Sequence, residues 1–266
     1  MIGVFDSGFG GLTVLKSFLE RIPNYNYVYL GDNARVPYGG KSEEVVYQYT
    51  KDAVDFLFEQ GCELIILACN TASALALHKL QQEYLPKKYP NRKILGVVRP
   101  IAESIASDDS LGRVAIIGTR ATVNSGVYSK EILKLNKNKK IFAQSAALLV
   151  PLIEEDYQKE EVLDIVLRDY LQFVEDNKTD RLVLACTHYP LLIEKIRKII
   201  PKTCKFENPG EIIAKSLEDY LEKHSELKFR GKRDLTFYTT DSIDKFKKLG
   251  KRFLGQEIRS IKKINL

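Results

Sequence analysis

Two stretches of this chain read as copies of one another, and each ends its apolar run at a cysteine. Residues 63–73 are Glu-Leu-Ile-Ile-Leu-Ala-Cys-Asn-Thr-Ala-Ser, and residues 180–190 are Asp-Arg-Leu-Val-Leu-Ala-Cys-Thr-His-Tyr-Pro. In both, an acidic residue leads a short aliphatic run, Ala-Cys follows, and small polar residues open a helical stretch. A continuous Leu/Ile/Val run bounded this way fits a strand buried on both faces, as in a parallel sheet covered by helices. The repeated unit therefore predicts a chain built twice on one α/β plan. It also predicts a site, because ligands collect at the carboxyl ends of parallel strands. A thiol on each side of one ligand suits a reaction that needs a base on one face and an acid on the other.

The rest of the chain keeps the same rhythm. Strands are expected at Ile2–Phe5, Tyr27–Leu30, Leu64–Ala68, Ile94–Val98, Val114–Ile117, Ile141–Ala143, Leu182–Ala185 and Leu235–Tyr238. Helical periodicity appears at Leu12–Arg21, Ser42–Phe58, Ala72–Tyr84, Glu161–Val174, Leu191–Ile199 and Glu211–Leu221. Strand–helix alternation predicts an α/β fold with right-handed crossovers. The repeat extends beyond the cysteines. Cys69 and Cys186 are 117 residues apart, and the strand ends Phe5 and Ile117 are 112 apart. The expected architecture is two pseudo-symmetric parallel-sheet α/β domains with the active site in the cleft between them. The expected division is residues 1–95 plus 207–266 for the first domain and 96–206 for the second.

Bulk properties exclude several classes. No apolar run in the 266 residues approaches the ~18–20 needed to span a membrane. The chain starts at once on a strand-like run, Met1–Phe5, without the pattern of a secretory signal, so a cytoplasmic protein is expected. The formal charge is +6, and much of the excess is local. Lys134, Lys137, Lys139 and Lys140 cluster mid-chain; Lys245, Lys247, Lys248, Lys251, Arg252, Arg259, Lys262 and Lys263 crowd the C-terminal segment. No nucleic-acid motif accompanies them, so they read as a solvated basic face and nucleic acid is not an expected partner. None of the four cysteines forms a C-x-x-C pair, which argues against zinc and dithiol redox motifs. Cys62 and Cys204 read as packing residues.

Cys69 and Cys186 each precede a probable helix N-terminus, where free N–H groups and the helix dipole favour a thiolate. Asn70, Thr71, Thr187 and His188 follow them directly. Short amides and hydroxyls there can hold a carboxylate or cap a helix. His188, two residues after Cys186, can act as a general acid or tune the thiol. His78 and His224 read as surface residues of helices. Asp6-Ser7-Gly8 ends the first strand, and Gly10-Gly11 opens a helix without a dinucleotide or Walker pattern. That loop lets backbone approach a small anion, and Asp6 near a thiol can relay a proton. Pro37-Tyr38-Gly39-Gly40 is a turn whose Tyr38 can line a pocket. Glu154 and Glu155 alone would be an exposed acidic pair.

Together these segments resemble the cofactor-independent Asp/Glu racemase family, and within it the glutamate racemases. The resemblance rests on Phe5-Asp6-Ser7-Gly8-Phe9-Gly10-Gly11, Gly31-Asp32, Pro37-Tyr38-Gly39, Ala68-Cys69-Asn70-Thr71, Gly118-Thr119-Arg120-Ala121-Thr122, Val150-Pro151-Leu152-Ile153-Glu154-Glu155, Cys186-Thr187-His188-Tyr189-Pro190 and Phe237-Tyr238-Thr239-Thr240-Asp241. It implies interconversion of L- and D-glutamate, supplying D-glutamate for peptidoglycan, with no cofactor and no metal. Cys69 would take the α-proton from D-glutamate and Cys186 from L-glutamate. Asp6 would assist Cys69; His188, with Glu154 nearby, would assist Cys186. Ser7, Asp32, Tyr38, Gly39, Asn70, Thr71, Thr119, Thr122 and Thr187 would form the substrate pocket. The resemblance further implies a homodimer. Aspartate or another amino acid is the alternative substrate for the same chemistry; a nucleic-acid-binding protein is the alternative of another class. Arg99-Pro100 stands where the family usually has Glu-Pro, and Ser145-Ala146-Ala147 where Ala-Cys-Pro is common. These departures bear on the domain interface, dimer mode or regulation, and Arg99, near a strand end, also on substrate preference.

Overall fold

The computed structural model describes residues 1–110, 112–157, 161–206, 208–227 and 234–266. The expected domain junction at residue 207 falls outside them. Among the described residues the strands are β1 (Ile2–Asp6), β2 (Tyr27–Gly31), β3 (Leu64–Leu67), β4 (Lys93–Gly96), β5 (Arg113–Gly118), β6 (Lys140–Ser145), β7 (Arg181–Ala185), β8 (Leu235–Thr239) and β9 (Ile261–Lys263). They form two all-parallel sheets. One has six strands in the order β4-β3-β1-β2-β8-β9, and the other three in the order β6-β5-β7. The repeat seen in the sequence is thus a repeat of topology. β1 lies between β2 and β3 as β5 lies between β6 and β7, and the two cysteines follow the equivalent strands β3 and β7.

Register gathers the site. Asp6 pairs with Gly31, Phe5 with Leu67, and Gly31 with Thr239. The residues just beyond these strands, Ser7, Asp32, Cys69 and Thr240, therefore emerge at one edge. In the second sheet Gly118 pairs with both Ser145 and Ala185, so Thr119, Ala146 and Cys186 emerge together.

Alternate residues of the first sheet feed two cores, as the period of two requires. Ile2, Val4, Tyr27, Tyr29, Leu64 and Ile66 point into a core that continues onto the second sheet. Phe5, Val28, Leu30, Ile65 and Leu67 face the other core, beneath the helix Glu43–Glu59. That helix starts cleanly because Ser42 caps it, accepting from the Val45 amide.

Several local expectations change. The single helix expected over Ala72–Tyr84 is broken into Asn70–Leu75, a turn at Leu77–Lys79, a π-helical turn at Leu80–Tyr84 and a last turn at Leu85–Lys88. Pro86 supplies a reason: it lacks the N–H that the fourth preceding carbonyl would receive, and its ring crowds that carbonyl. The strand expected at Ile94–Val98 ends at Gly96, and Val98 opens the helix Val98–Ala106. Pro100 is tolerated there because it falls in the first turn, where amides have no intrahelical partner. The basic C-terminal run forms the helix Ile243–Leu254, which buries Phe246, Leu249, Gly250, Phe253 and Leu254 and leaves Lys245, Lys247, Lys248 and Lys251 exposed. Lys139 departs from the solvated basic face: it is buried, and its ammonium donates to the Asp108 carbonyl at 2.5 Å.

Phe246 ties that helix to the first sheet, with ring centroids 5.6 Å from Phe9, 6.1 Å from Tyr29 and 6.4 Å from Phe237. Phe246→Ala is expected to cost about 3–5 kcal/mol through the cavity it leaves. Urea unfolding followed by far-ultraviolet circular dichroism measures this as a lower midpoint at unchanged slope.

Candidate active site

The two sheets meet through the loops after β1 and β7. Thr187 is held twice: its carbonyl accepts from Thr13 Oγ1 at 3.0 Å, and its hydroxyl donates to Asp6 Oδ1 at 3.2 Å. Glycine makes this approach possible. A Cβ on Gly10 would lie 2.2 Å from Thr187 Oγ1 and 2.5 Å from His188 Nδ1. Asp6 has no solvent exposure, and its second oxygen accepts from the Gly8 amide at 2.9 Å. Burial raises its carboxyl above the ordinary value, against the charge of His188 and the donors Gly8, Gly11 and Thr187.

Cys69 follows β3 and serves as the N-cap of Asn70–Leu75, its sulfur accepting from the Ala72 amide at 3.5 Å. The thiol also reaches Ser7 Oγ at 3.5 Å. The helix N-terminus does not win here. Burial comes first, the Asp6 charge second, and together they push the Cys69 thiol up to about 12. The sequence-based expectation of a lowered thiol is corrected at this position: a six-residue helix start offers weak stabilisation against full desolvation.

The other thiol has a different partner. Cys186 Sγ lies 3.9 Å from His188 Nδ1, and His188 Nε2 lies 2.8 Å from Glu154 Oε1. Burial alone would discharge this ring. The contacts with Cys186 and Glu154 outweigh it and raise His188 to about 10, so the ring is an imidazolium at neutral pH. One thiol therefore sits near a carboxyl group and the other beside a cation.

Both cysteines line one cavity of about 300 Å³. Of the residues proposed from sequence, Ser7, Tyr38, Gly39, Asn70, Thr71, Thr119, Thr187, His188 and Glu154 line it as well. Asp6, Asp32 and Thr122 lie behind the lining. Asp32 accepts from Tyr38 Oη at 2.5 Å, Arg35 Nε at 2.6 Å and Thr240 Oγ1 at 2.8 Å, so it anchors Tyr38. That anchoring sets the turn Tyr38–Gly40 against Thr119, so close that a Cβ on Gly39 would lie 2.6 Å from Thr119 Cβ. Thr122 completes a hydroxyl triangle with Thr71 at 3.2 Å and Thr119 at 2.9 Å. Tyr128 donates to Asn70 Oδ1 at 2.5 Å and so fixes the amide.

The sequence reading did not select Val36, Arg120, Val150 and Glu155 for the lining. Arg120 lies inside the quoted Gly118–Thr122 motif and carried its own signal as a cation beside a proposed anion site. Arg99 lies elsewhere. Its guanidinium pairs with Glu103 at 2.6 Å and Glu131 at 3.8 Å on a separate cavity of about 510 Å³, away from the thiols. Among the described residues no group of three or more His, Cys, Asp or Glu side chains is arranged to hold a metal ion.

Parallel α/β sheets that bring two thiols to one cavity, one near a carboxyl group and one beside an imidazolium, define a site equipped with proton donors and acceptors for a small molecule. Known proteins specify the class further. The pattern of the Asp/Glu/Hydantoin racemase family matches residues 2–205. The glutamate racemase of Aquifex aeolicus is 38% identical, covering 97% of this chain and 95% of its own. That of Koribacter versatilis is 37% identical, covering 100% of this chain and 97% of its own. A solved glutamate racemase from Francisella tularensis, in complex with D-glutamate, superposes with a TM-score of 0.89 at 34% identity, covering 99% of this chain and 97% of its own. The chain belongs to the Asp/Glu/Hydantoin racemase family, and it is a racemase.

His188 is raised from 6.5 to about 10, so its contribution to stability is complete below pH 6.5 and lost as pH rises through about 10. Thermal melts between pH 6.5 and 10 should show stability falling with pH, and His188→Asn should flatten that slope. Asp6 is raised, so above its folded value the ionised carboxylate works against folding. Asp6→Asn keeps the shape and should melt at a higher temperature at pH 8 while losing roughly 10²–10⁴-fold in kcat, the span of one general acid–base group.

Proposed function

We propose that the chain is a glutamate racemase that exchanges the α-proton between two thiols. The observation that carries this reading is the single cavity lined by Cys69 and Cys186, each with its own proton partner within the same site. Its likeness to named glutamate racemases over nearly the whole chain supports glutamate as substrate.

In the L-to-D direction Cys186 acts as the thiolate beside protonated His188 and removes the α-proton. Cys69, held as a neutral thiol, delivers its proton to the opposite face. In the D-to-L direction Cys69 must first lose its proton, and Asp6, a buried carboxylate on the adjoining strand end, accepts it. Cys186 takes a proton from His188 and donates it from the other side, while Glu154 holds the ring in place. No net proton is consumed. A substrate that fills the cavity displaces water from it, which strengthens each charge–charge contact within it. Thr71, Thr119 and Asn70, with the backbone around Tyr38–Gly40 and Thr187, offer neutral donors to the two carboxylates. Neutral donors bind the two carboxylates without quenching the thiolate that must act as base.

The domain division that accompanies this reading is residues 1–95 plus 207–266 against 96–206. The change of sheet between β4 and β5, and the return of β8 and β9 to the first sheet, support it. No helix among the described residues is long and apolar enough to cross a membrane. A cytoplasmic homodimer supplying D-glutamate for peptidoglycan completes the reading.

The test is proton NMR in D₂O with L- and then D-glutamate, with circular dichroism alongside. Loss of the α-proton signal together with decay of ellipticity to zero is the expected result, and retention of both in folded, reduced enzyme rules the substrate out. Cys69→Ala and Cys186→Ala should each lower racemisation by roughly 10²–10⁴-fold or more.

A further inference from the structure

The C-terminal helix Ile243–Leu254 touches the Cys186 side of the site at two successive residues. Phe253 meets His188 edge-on, with ring centroids 5.1 Å apart and planes at 80°. Arg252 reaches the other half of the same pair: its Nη2 donates to the Ile153 carbonyl at 3.2 Å and lies 3.0 Å from Asp156 Oδ1. These two residues flank Glu154, the carboxylate bonded to His188 Nε2.

The backbone at this point is lightly held. Helix Leu149–Glu154 is only six residues long, and its end is closed by the Glu155 amide on the Pro151 carbonyl at 2.9 Å and a longer bond of 3.3 Å from the Asp156 amide to the Ile153 carbonyl. Asp156 follows with φ at 65°, a left-handed conformation that a side chain bearing a Cβ enters at a cost. A cation at this C-terminus gives the Ile153 carbonyl a second donor, complements the helix dipole and engages the Asp156 carboxylate. Arg252 is half-buried, and the two hydrogens of its Nη2 serve both oxygens from one fixed, planar group, which a freely rotating lysine ammonium does less well. The helix carrying Arg252 is itself fixed to the first sheet by Phe246 against Phe9, Tyr29 and Phe237.

We infer that Arg252 is a positioning residue for the Cys186 half of the reaction: it locks the end of helix Leu149–Glu154 so that Glu154 holds His188 against Cys186. It touches neither substrate nor thiol. Among the described residues no hydrogen bond or ion pair joins it to the Cys69 half, built from Asp6, Ser7 and the helix Asn70–Leu75.

This rests on the racemase reading and makes the two thiols separable. The variants are Arg252→Met, Arg252→Lys and Asp156→Asn, with Lys251→Met as control, since exposed Lys251 pairs only with Glu257 among the described residues. The measurements are kcat and KM in both directions and primary isotope effects with α-deuterated L- and D-glutamate. A loosened Glu154–His188 pair should lower kcat about 10–100-fold, the scale of a small misplacement of a reacting group, with KM nearly unchanged. The isotope effect with the L-isomer should rise, because proton removal by Cys186 becomes more rate-limiting. The effect with the D-isomer should fall. Arg252→Lys should recover part of the loss, and Asp156→Asn should shift the isotope effects the same way by a smaller amount. If Arg252→Met does not fold, Asp156→Asn carries the test. Unaltered kinetics in folded variants, or isotope effects that move equally for both isomers, overturn the inference while leaving the racemase reading intact. A wild-type enzyme that fails to racemise glutamate overturns the reading beneath it instead.

Discussion

The contact on which this structure turns is the hold of the β1 loop on Thr187. The two sheets share no strand, yet their functional edges must meet within ångströms for two thiols to serve one carbon atom. Thr13 binds the Thr187 carbonyl and Asp6 binds its hydroxyl, both without solvent competition. Buried polar groups are costly unless paired, so each partner specifies the other. Gly10 leaves the space in which His188 stands. Asp6 is thereby part of the joint, and its raised carboxyl is the consequence of taking a charge out of water to make that joint.

From that joint the two thiols acquire unlike surroundings. Cys69 is desolvated beside an acidic group and held protonated, while Cys186 stands beside a cation that Glu154 sustains. Racemisation needs one base and one acid at the same moment, on opposite faces. A pair of identical residues in identical surroundings would divide between both thiol states. Unlike surroundings give a definite starting arrangement, and the turnover of one substrate molecule inverts it. The acid–base difference is built from second partners, because the primary groups are the same residue type.

Much of this was legible along the chain. The Leu-Ile-Ile-Leu and Leu-Val-Leu runs before Cys69 and Cys186 could only be buried strands, and parallel register then carries both cysteines to carboxyl ends. The repeat appears in space as the matching orders β3-β1-β2 and β7-β5-β6. Less legible were features set by distant packing. Ile243–Leu254 reads as a basic run because five of its twelve residues are Lys or Arg, yet its apolar residues fall on one helical face and reach His188. Asp32 reads as a pocket residue only through the family resemblance, and Tyr38, Arg35 and Thr240 take up its oxygens. Arg99 reads as a neighbour of the site from its place after β4, yet the helix that starts at Val98 turns it toward Glu103 and Glu131.

The sequence by itself determined the α/β plan, its duplication and the placement of a thiol after each equivalent strand. Strand period, residue type and motif order are local properties, and each is written in consecutive residues. The tertiary structure alone decided which carboxyl group stands by which thiol, that Cys69 is held protonated, and that Arg252, 98 residues beyond Glu154, grips the turn that carries it. Those outcomes depend on desolvation and on charges brought together from separate segments. Neither has a value until the chain has closed around them.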